Sequence, residues 1–120
     1  VLLRKRSHPQ RETEMAVEFR TTSVPVPNGT GPKQIPGQVI FQNKVRVANI
    51  ALRGFLLDYD NSDHHINTVE VATNLGVIEG EIVHFRVNCE YKDRNGDDSY
   101  SGRVDVLVIA DLQPTGPVIN

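Results

Sequence analysis

Asp58, Asp60, Asn61, Asp63, His64 and His65 crowd into one short stretch, and each can hydrogen-bond a ligand, hold a metal or move a proton. Carboxylates at i, i+2 and i+5 resemble the spacing of a calcium loop, because calcium takes about six to eight oxygen ligands from a flexible turn. A second group, Asp93, Asn95, Asp97 and Asp98, begins like an EF-hand loop, but Val104 stands where the closing bidentate Glu belongs. Turns collect Asp, Asn and Gly for backbone reasons alone, so an ordinary polar turn is the preferred reading of both groups. No cofactor is expected, and calcium at Asp93, Asn95, Asp97 and Asp98 is the metal reading the spacing admits. His64 and His65 are adjacent, and adjacent strand residues face opposite sides, so one ion is not expected to be held by both. His84 is the remaining histidine that could approach them, although a hydrogen-bonded structural role is preferred. Cys89 falls on an apolar strand face, where a thiol is an inert core residue. With no nucleophile elbow, phosphate loop or dinucleotide fingerprint, the chain is expected to be non-enzymatic.

The whole chain bounds these readings. Its 120 residues, 38% hydrophobic and 23% charged, suit one globular domain. A net charge of −2 makes no electrostatic case for a nucleic-acid partner. One cysteine excludes an intrachain disulfide scaffold. The longest apolar run, Val106-Leu107-Val108-Ile109-Ala110, is far short of the roughly 20 residues of a membrane helix, so no membrane insertion is expected.

Residues 1–14 read as a charged N-terminal tail carrying Arg4, Lys5, Arg6, Arg11, Glu12 and Glu14. Val1-Leu2-Leu3 precedes the basic residues, the reverse of a signal peptide. Residues 15–37 read as an extended arm with one short strand, in which Val17 and Phe19 alternate with Glu18 and Arg20. The stretch Val24 to Gly37 is dense in proline and glycine, which excludes a helix or a central strand. Residues 38–112 form the main β domain, and 113–120 a C-terminal tail. Ile82 to Tyr91 alternates strictly, with Val83, Phe85, Val87, Cys89 and Tyr91 on one face and His84, Arg86, Asn88 and Glu90 on the other. Tyr100 to Ala110 repeats the pattern. Asn67 to Thr73 and Val39 to Phe41 are shorter strands, Gly54 predicts a bulge or corner within Lys44 to Tyr59, and Glu79-Gly80 predicts a tight hairpin. The fold class is all-β: an antiparallel β-sandwich of about six to seven strands, with an extended Pro/Gly-rich N-terminal arm and a small barrel as the alternative.

The last strand carries apolar side chains on both faces. Leu107 and Ile109 point away from Val104, Val106 and Val108, and a strand apolar on both sides must be covered on both. Two covers are considered: a second subunit, with Leu107 and Ile109 in the interface, or the 16–37 arm folded over them.

Three segments carry a family resemblance: Val39-Ile40-Phe41, the run from Val47 to Asp58, and Val104-Asp105-Val106-Leu107-Val108-Ile109-Ala110. Over residues 38–111 their order resembles the H-type lectin domain. That resemblance implies a six-stranded antiparallel sandwich assembling as trimers or hexamers, with sugars such as N-acetylgalactosamine bound at loops near subunit interfaces. The family's Pro-x-Val and last-strand tryptophan are absent, and its sugar-contacting residues have no one-to-one counterparts here, so no sugar specificity follows.

Two function classes result. The first is a lectin-like, carbohydrate-binding homo-oligomer, with Tyr59, Asp60, Asp63, His64 and His65 as the glycan-facing edge and Tyr59, Tyr91 and Tyr100 as its aromatic surface. The second is a structural subunit of a particle, fibre or filament, open-ended rather than closed. An extracellular or particle-surface setting is the expectation attached to both.

Overall fold

The computed structural model of the chain describes residues 16–60, 68–92 and 98–114. They form six strands: β1 (Ala16–Gly29), β2 (Lys33–Ile40), β3 (Val45–Tyr59), β4 (Thr68–Glu79), β5 (Ile82–Lys92) and β6 (Tyr100–Leu112). All pairings are antiparallel, in two three-stranded sheets ordered β1-β6-β3 and β2-β5-β4. The inner faces of both sheets contribute to one buried apolar cluster.

The two strands with the cleanest alternation take the central positions. Val83, Phe85, Val87 and Cys89 of β5 and Val104, Val106, Val108 and Ala110 of β6 are all buried. A central strand is shielded on both edges, so its inward side chains lose the most water; each buried valine contributes roughly 1.5–3 kcal/mol. Prolines go to the edges. Pro25 and Pro27 lie in β1 and Pro36 in β2, where a missing N–H need not interrupt a ladder. The 24–37 stretch is therefore extended, as expected, but it supplies two edge strands rather than a free arm.

β3 is one strand with a register shift between Leu52 and Gly54, which realises the bulge expected at that glycine. Gly80, at φ 61°, opens the two-residue turn between Glu79 and Ile82, the expected hairpin. The short strand expected up to Thr73 is longer: β4 runs from Thr68 to Glu79 with a register shift between Leu75 and Ile78. Gly102 is required by a close approach. A Cβ there would stand 1.8 Å from the Leu56 carbonyl oxygen, a backbone atom that cannot yield.

The start of β1 departs from its pattern. Val17 and Phe19 face outward, and Glu18 and Arg20 face inward opposite Ala110 and Val108. Parity explains the inversion. Val24 and Val26 are buried further along the strand, and every even-numbered residue must share their side. The inward Arg20 lies 5.3 Å from the centroid of the Phe41 ring and 3.5 Å from Glu18, so its charge is accommodated at the rim of the core.

Candidate functional site

One end of the fold gathers three connections. Tyr59 of β3 pairs with Tyr100 of β6, and the Asp60 amide donates to the Ser99 carbonyl at 3.0 Å. The start of the β3–β4 connection therefore lies beside the end of the β5–β6 connection, and the β1–β2 connection leaves from the same end, with Gly29 opposite Tyr100. Of the expected glycan-facing edge, Tyr59 is half-buried and Asp60 exposed, while Asp63, His64 and His65 lie outside the described residues. Of the calcium group, Asp98 is half-buried, and Asp93, Asn95 and Asp97 lie outside the described residues. Among the described residues no cluster of three or more His, Cys, Asp or Glu could hold a metal.

The three tyrosines do meet here, but as a clamp rather than as one open aromatic surface. The Tyr59 and Tyr91 rings are 4.6 Å apart, and Tyr91 meets Tyr100 edge-on at 5.9 Å. Tyr100 has no solvent exposure, so the reading of it as part of an aromatic surface is corrected. Its hydroxyl donates to the Gly31 carbonyl at 2.7 Å and lies 3.3 Å from that of Cys89. Lys33 sits over the same ring at 3.8 Å and donates to the carbonyls of Tyr100, at 2.9 Å, and of Pro27. Burial lowers the Lys33 ammonium below its ordinary value, opposed by Cys89 and Asp60. Burial raises the Tyr100 hydroxyl, the Tyr91 hydroxyl and the Cys89 thiol, with Cys89 and Asp58 as the respective second causes for the two tyrosines. These shifts keep the tyrosines and the thiol protonated, which suits a structural tie between the β1–β2 connection and β6.

His84 belongs to the other end. Its Nε2 lies 3.0 Å from Glu79 Oε1 beside the β4–β5 hairpin, eight positions along β5 from Lys92. Eight strand residues span about 27 Å. Cys89 is a buried free thiol within the core cluster.

The outer face of the β1-β6-β3 sheet presents Leu107 and Ile109 at its centre, both half-buried. Ile109 is flanked by Phe19 and Asn49, and Leu107 by Thr21 and Ala51. Val17 and Val47 flank Asp111 on the same face. Phe19 is 66% exposed and Val47 59%. A shallow depression of about 180 Å³ lies among Val17, Val47, Asn49, Ile109 and Asp111. The reading in which the 16–37 segment covers this face is corrected: its strands lie in the planes of the two sheets as edge strands.

The outer face of the β2-β5-β4 sheet is polar over most of its length, with Ile40 and Ile82 outward toward the hairpin, and the sequence alone does not single it out. β5 turns His84, Arg86, Asn88 and Glu90 outward, and register sets Gln34, Pro36 and Gln38 on one side and Glu70, Ala72 and Asn74 on the other. Two depressions cross it. One of about 490 Å³ is lined by Pro36, Asn74, Val77, Glu79, His84 and Arg86. The next, about 330 Å³, begins one outward position further along, at Gln34, Ala72 and Asn88, and runs on to Glu70 and Glu90. The outward half of the β5 alternation was the available signal; the cross-strand partners needed the register.

No helix of the described residues is long and apolar enough to cross a membrane. The sequence matches no protein-family model and no curated protein, and the fold matches no solved structure.

Proposed function

We propose that this chain is a non-enzymatic β-sandwich module that works as a homo-oligomer, joined to further copies of itself through the outer face of the β1-β6-β3 sheet. The observation that carries this reading is the apolar group Val17, Phe19, Val47, Leu107 and Ile109 on that face. Exposed apolar groups of this kind mark association surfaces. Three strands about 4.8 Å apart and some 13 residues long present on the order of 600 Å² in projection, so the apolar end alone makes a small interface beside the ~800 Å² per partner of a standard one. A second copy is the occupant the H-type lectin resemblance also implies. The test is assembly mass by light scattering across a concentration series. The expected result is a discrete oligomer that Leu107→Glu converts to monomer; a native monomer at every concentration overturns the reading. A closed trimer or hexamer fits a lectin-like module, and an open polymer fits a particle or filament subunit.

Carbohydrate binding is the second reading, favoured by the Asp60–Ser99 hydrogen bond, which joins the first residue of one Asp-rich connection to the last residue of the other. Tyr59, Asp60, Asp63, His64 and His65 form its proposed edge. Asp63→Ala should weaken glycan binding about tenfold, or about 1.4 kcal/mol, the scale of a lost charge-assisted hydrogen bond. Unchanged affinity removes the loops from the site.

A further inference from the structure

We propose that the free edge of β4 takes up an extended segment of a partner protein, added antiparallel as a further strand of the β2-β5-β4 sheet. Its alternate apolar side chains turn inward, a basic residue lies beside Glu70 and an acidic residue beside Asn74. The binding is independent of assembly through the β1-β6-β3 sheet.

The edge strands are not alike. β1 lies against β2 on one side of the sandwich, and β3 against β4 on the other. Pro25 and Pro27 of β1 and Pro36 of β2 blunt the first side, because proline offers no N–H to an incoming strand. β3 and β4 contain no proline. Burial follows the same division. The inward Val24, Val26 and Val39 of the first side are at most 8% exposed. On the second side, register sets Leu52 and Phe55 opposite Val106 and Val104, and Val69 and Leu75 opposite Tyr91 and Phe85, so all four turn inward. Each is nevertheless between 40% and 44% exposed. The apolar interior is thus open along the seam between β3 and β4.

β4 is shaped to accept a strand there. Among the described residues it pairs only with β5, and Val69 to Leu75 does so without a register shift, a straight run of about 23 Å. Alternate residues of such an edge turn N–H and C=O away from the sheet. Main-chain bonds to them supply affinity, and the side chains alongside supply specificity. Inward, apolar side chains would close over Val69, Leu75, Leu52 and Phe55. Outward, charge selects the partner. Glu70 stands directly opposite Glu90, where like charges repel. Glu90 has Lys92 at 3.8 Å, whereas Glu70 makes no ion pair among the described residues. A base beside Glu70 relieves that repulsion. Further along, Asn74 has Arg86 across from it, and Arg53 sits in the β3 bulge; neither makes an ion pair among the described residues. That end suits an acid. The β4 strand of a second copy carries Glu70 and Glu79 and no base, so it brings nothing to Glu70. The charge pattern therefore favours a different chain.

The test titrates the full chain with an acetylated, amidated peptide of about eight residues, an ordinary strand length. Valine alternates with threonine in it, one glutamate lies near the N-terminus and one lysine near the C-terminus. Amide NMR shifts follow the binding. The expected result is saturable binding with shifts centred on Val69 to Leu75, retained in Leu107→Glu, and weaker binding when the peptide's glutamate and lysine are exchanged. Glu70→Lys should weaken binding about tenfold, and replacing the peptide's lysine by glutamate should recover most of that loss. Leu75→Thr should weaken it severalfold. Both are exposed positions where folding is expected to survive. Affinity that Glu70→Lys leaves unchanged overturns the proposal, as do shifts centred on β1 or β2. A peptide copying Thr68 to Glu79 of this chain that binds as tightly as the probe assigns the edge to a second copy and overturns it too. So does no binding of the probe.

Discussion

The two outer faces of this protein come from the same construction, three antiparallel strands with a strictly alternating central one, and yet present opposite chemistries. On the β1-β6-β3 sheet the outward half of the alternation includes Phe19, Leu107 and Ile109; on the β2-β5-β4 sheet it includes Gln34, Glu70, Asn74, Arg86, Asn88 and Glu90, with Ile40 and Ile82 at the hairpin end. The inner faces cannot differ in this way, because both must be apolar to share one core. The outer faces are free to differ, so they are where use leaves its mark. Water solvates the amide face at no cost and leaves it available to a polar ligand. The apolar face gains from being covered, and a gain proportional to buried area favours a protein partner.

The largest effect expected from this contrast is on assembly. Leu107→Glu places a carboxylate in the proposed interface, where burial without a partner costs on the order of 2 kcal/mol or more. Sedimentation of this variant should give monomer, whereas Arg86→Gln on the opposite face should leave the native mass unchanged. If both variants or neither dissociate, the two faces do not divide the work as proposed. A substitution behind both faces serves as the control. Gly102→Ala drives a Cβ into the Leu56 carbonyl between β6 and β3, and should destabilise folding itself by about 2–4 kcal/mol in a urea melt.

Salt tests the apolar face next. Apolar association persists at high ionic strength, while a contact between exposed charges is screened within about 3 Å at 1 M. Light scattering in 1 M salt should therefore return the same assembly mass. A mass that falls in 1 M salt would mean that charges on this face, such as those of Asp105 and Asp111, rather than its apolar side chains, hold the subunits.

How much of this was legible in the sequence differs between the faces. The hairpin at Gly80, the bulge at Gly54 and the two central strands follow from period-2 alternation and turn residues, which are local properties. Leu107 and Ile109 could be singled out because one strand alone shows that both its faces are apolar. Phe19 could not be assigned to them, because its side depends on Val24 and Val26 further along β1, inside a proline-rich stretch that reads as a poor strand. The amide face was hidden for a related reason. His84, Arg86, Asn88 and Glu90 look like an ordinary solvated edge until register brings Gln34 and Asn74 alongside. The loop residues Asp63, His64 and His65 stand out by composition, but their geometry lies outside the described residues.

A smaller effect tests the core both faces share. Cys89, Tyr91 and Tyr100 are all raised above their ordinary values, 9.0 for the thiol and 10.0 for the tyrosines. An unfolded chain releases these protons near those values while the folded chain retains them. Above pH about 9 the folded state therefore binds more protons, and stability falls as pH rises. Lys33 acts in the opposite sense, since its lowered value makes folding easier as the ammonium is lost, but it is one group against three. Thermal melts from pH 8 to 11 should show the midpoint falling, and the fall should be shallower in Tyr100→Phe. A midpoint flat to pH 11 would mean that the clamp of Tyr100 on Gly31 and Cys89 opens without cost.

The smallest expected effect concerns how far along its sheet the apolar face extends. Past Leu107 the same face becomes mixed: Ser23 Oγ donates to Asp105 Oδ1 at 2.9 Å, Arg103 lies 3.5 Å from the same carboxylate, and the exposed Leu56 stands opposite Arg103. This exposed hydrogen bond contributes little to folding, so Ser23→Ala should shift stability by no more than about 0.5 kcal/mol. Its effect on assembly discriminates. If association uses only the apolar end near Phe19, Val47 and Ile109, Ser23→Ala leaves the dissociation constant unchanged, which is the expected outcome. If the interface runs the length of the sheet, Asp105 is desolvated in the assembly, and removing one of its donors weakens association measurably. Sedimentation of the variant across a dilution series reads the difference, and with it whether the proposed interface covers part of the sheet or all of it.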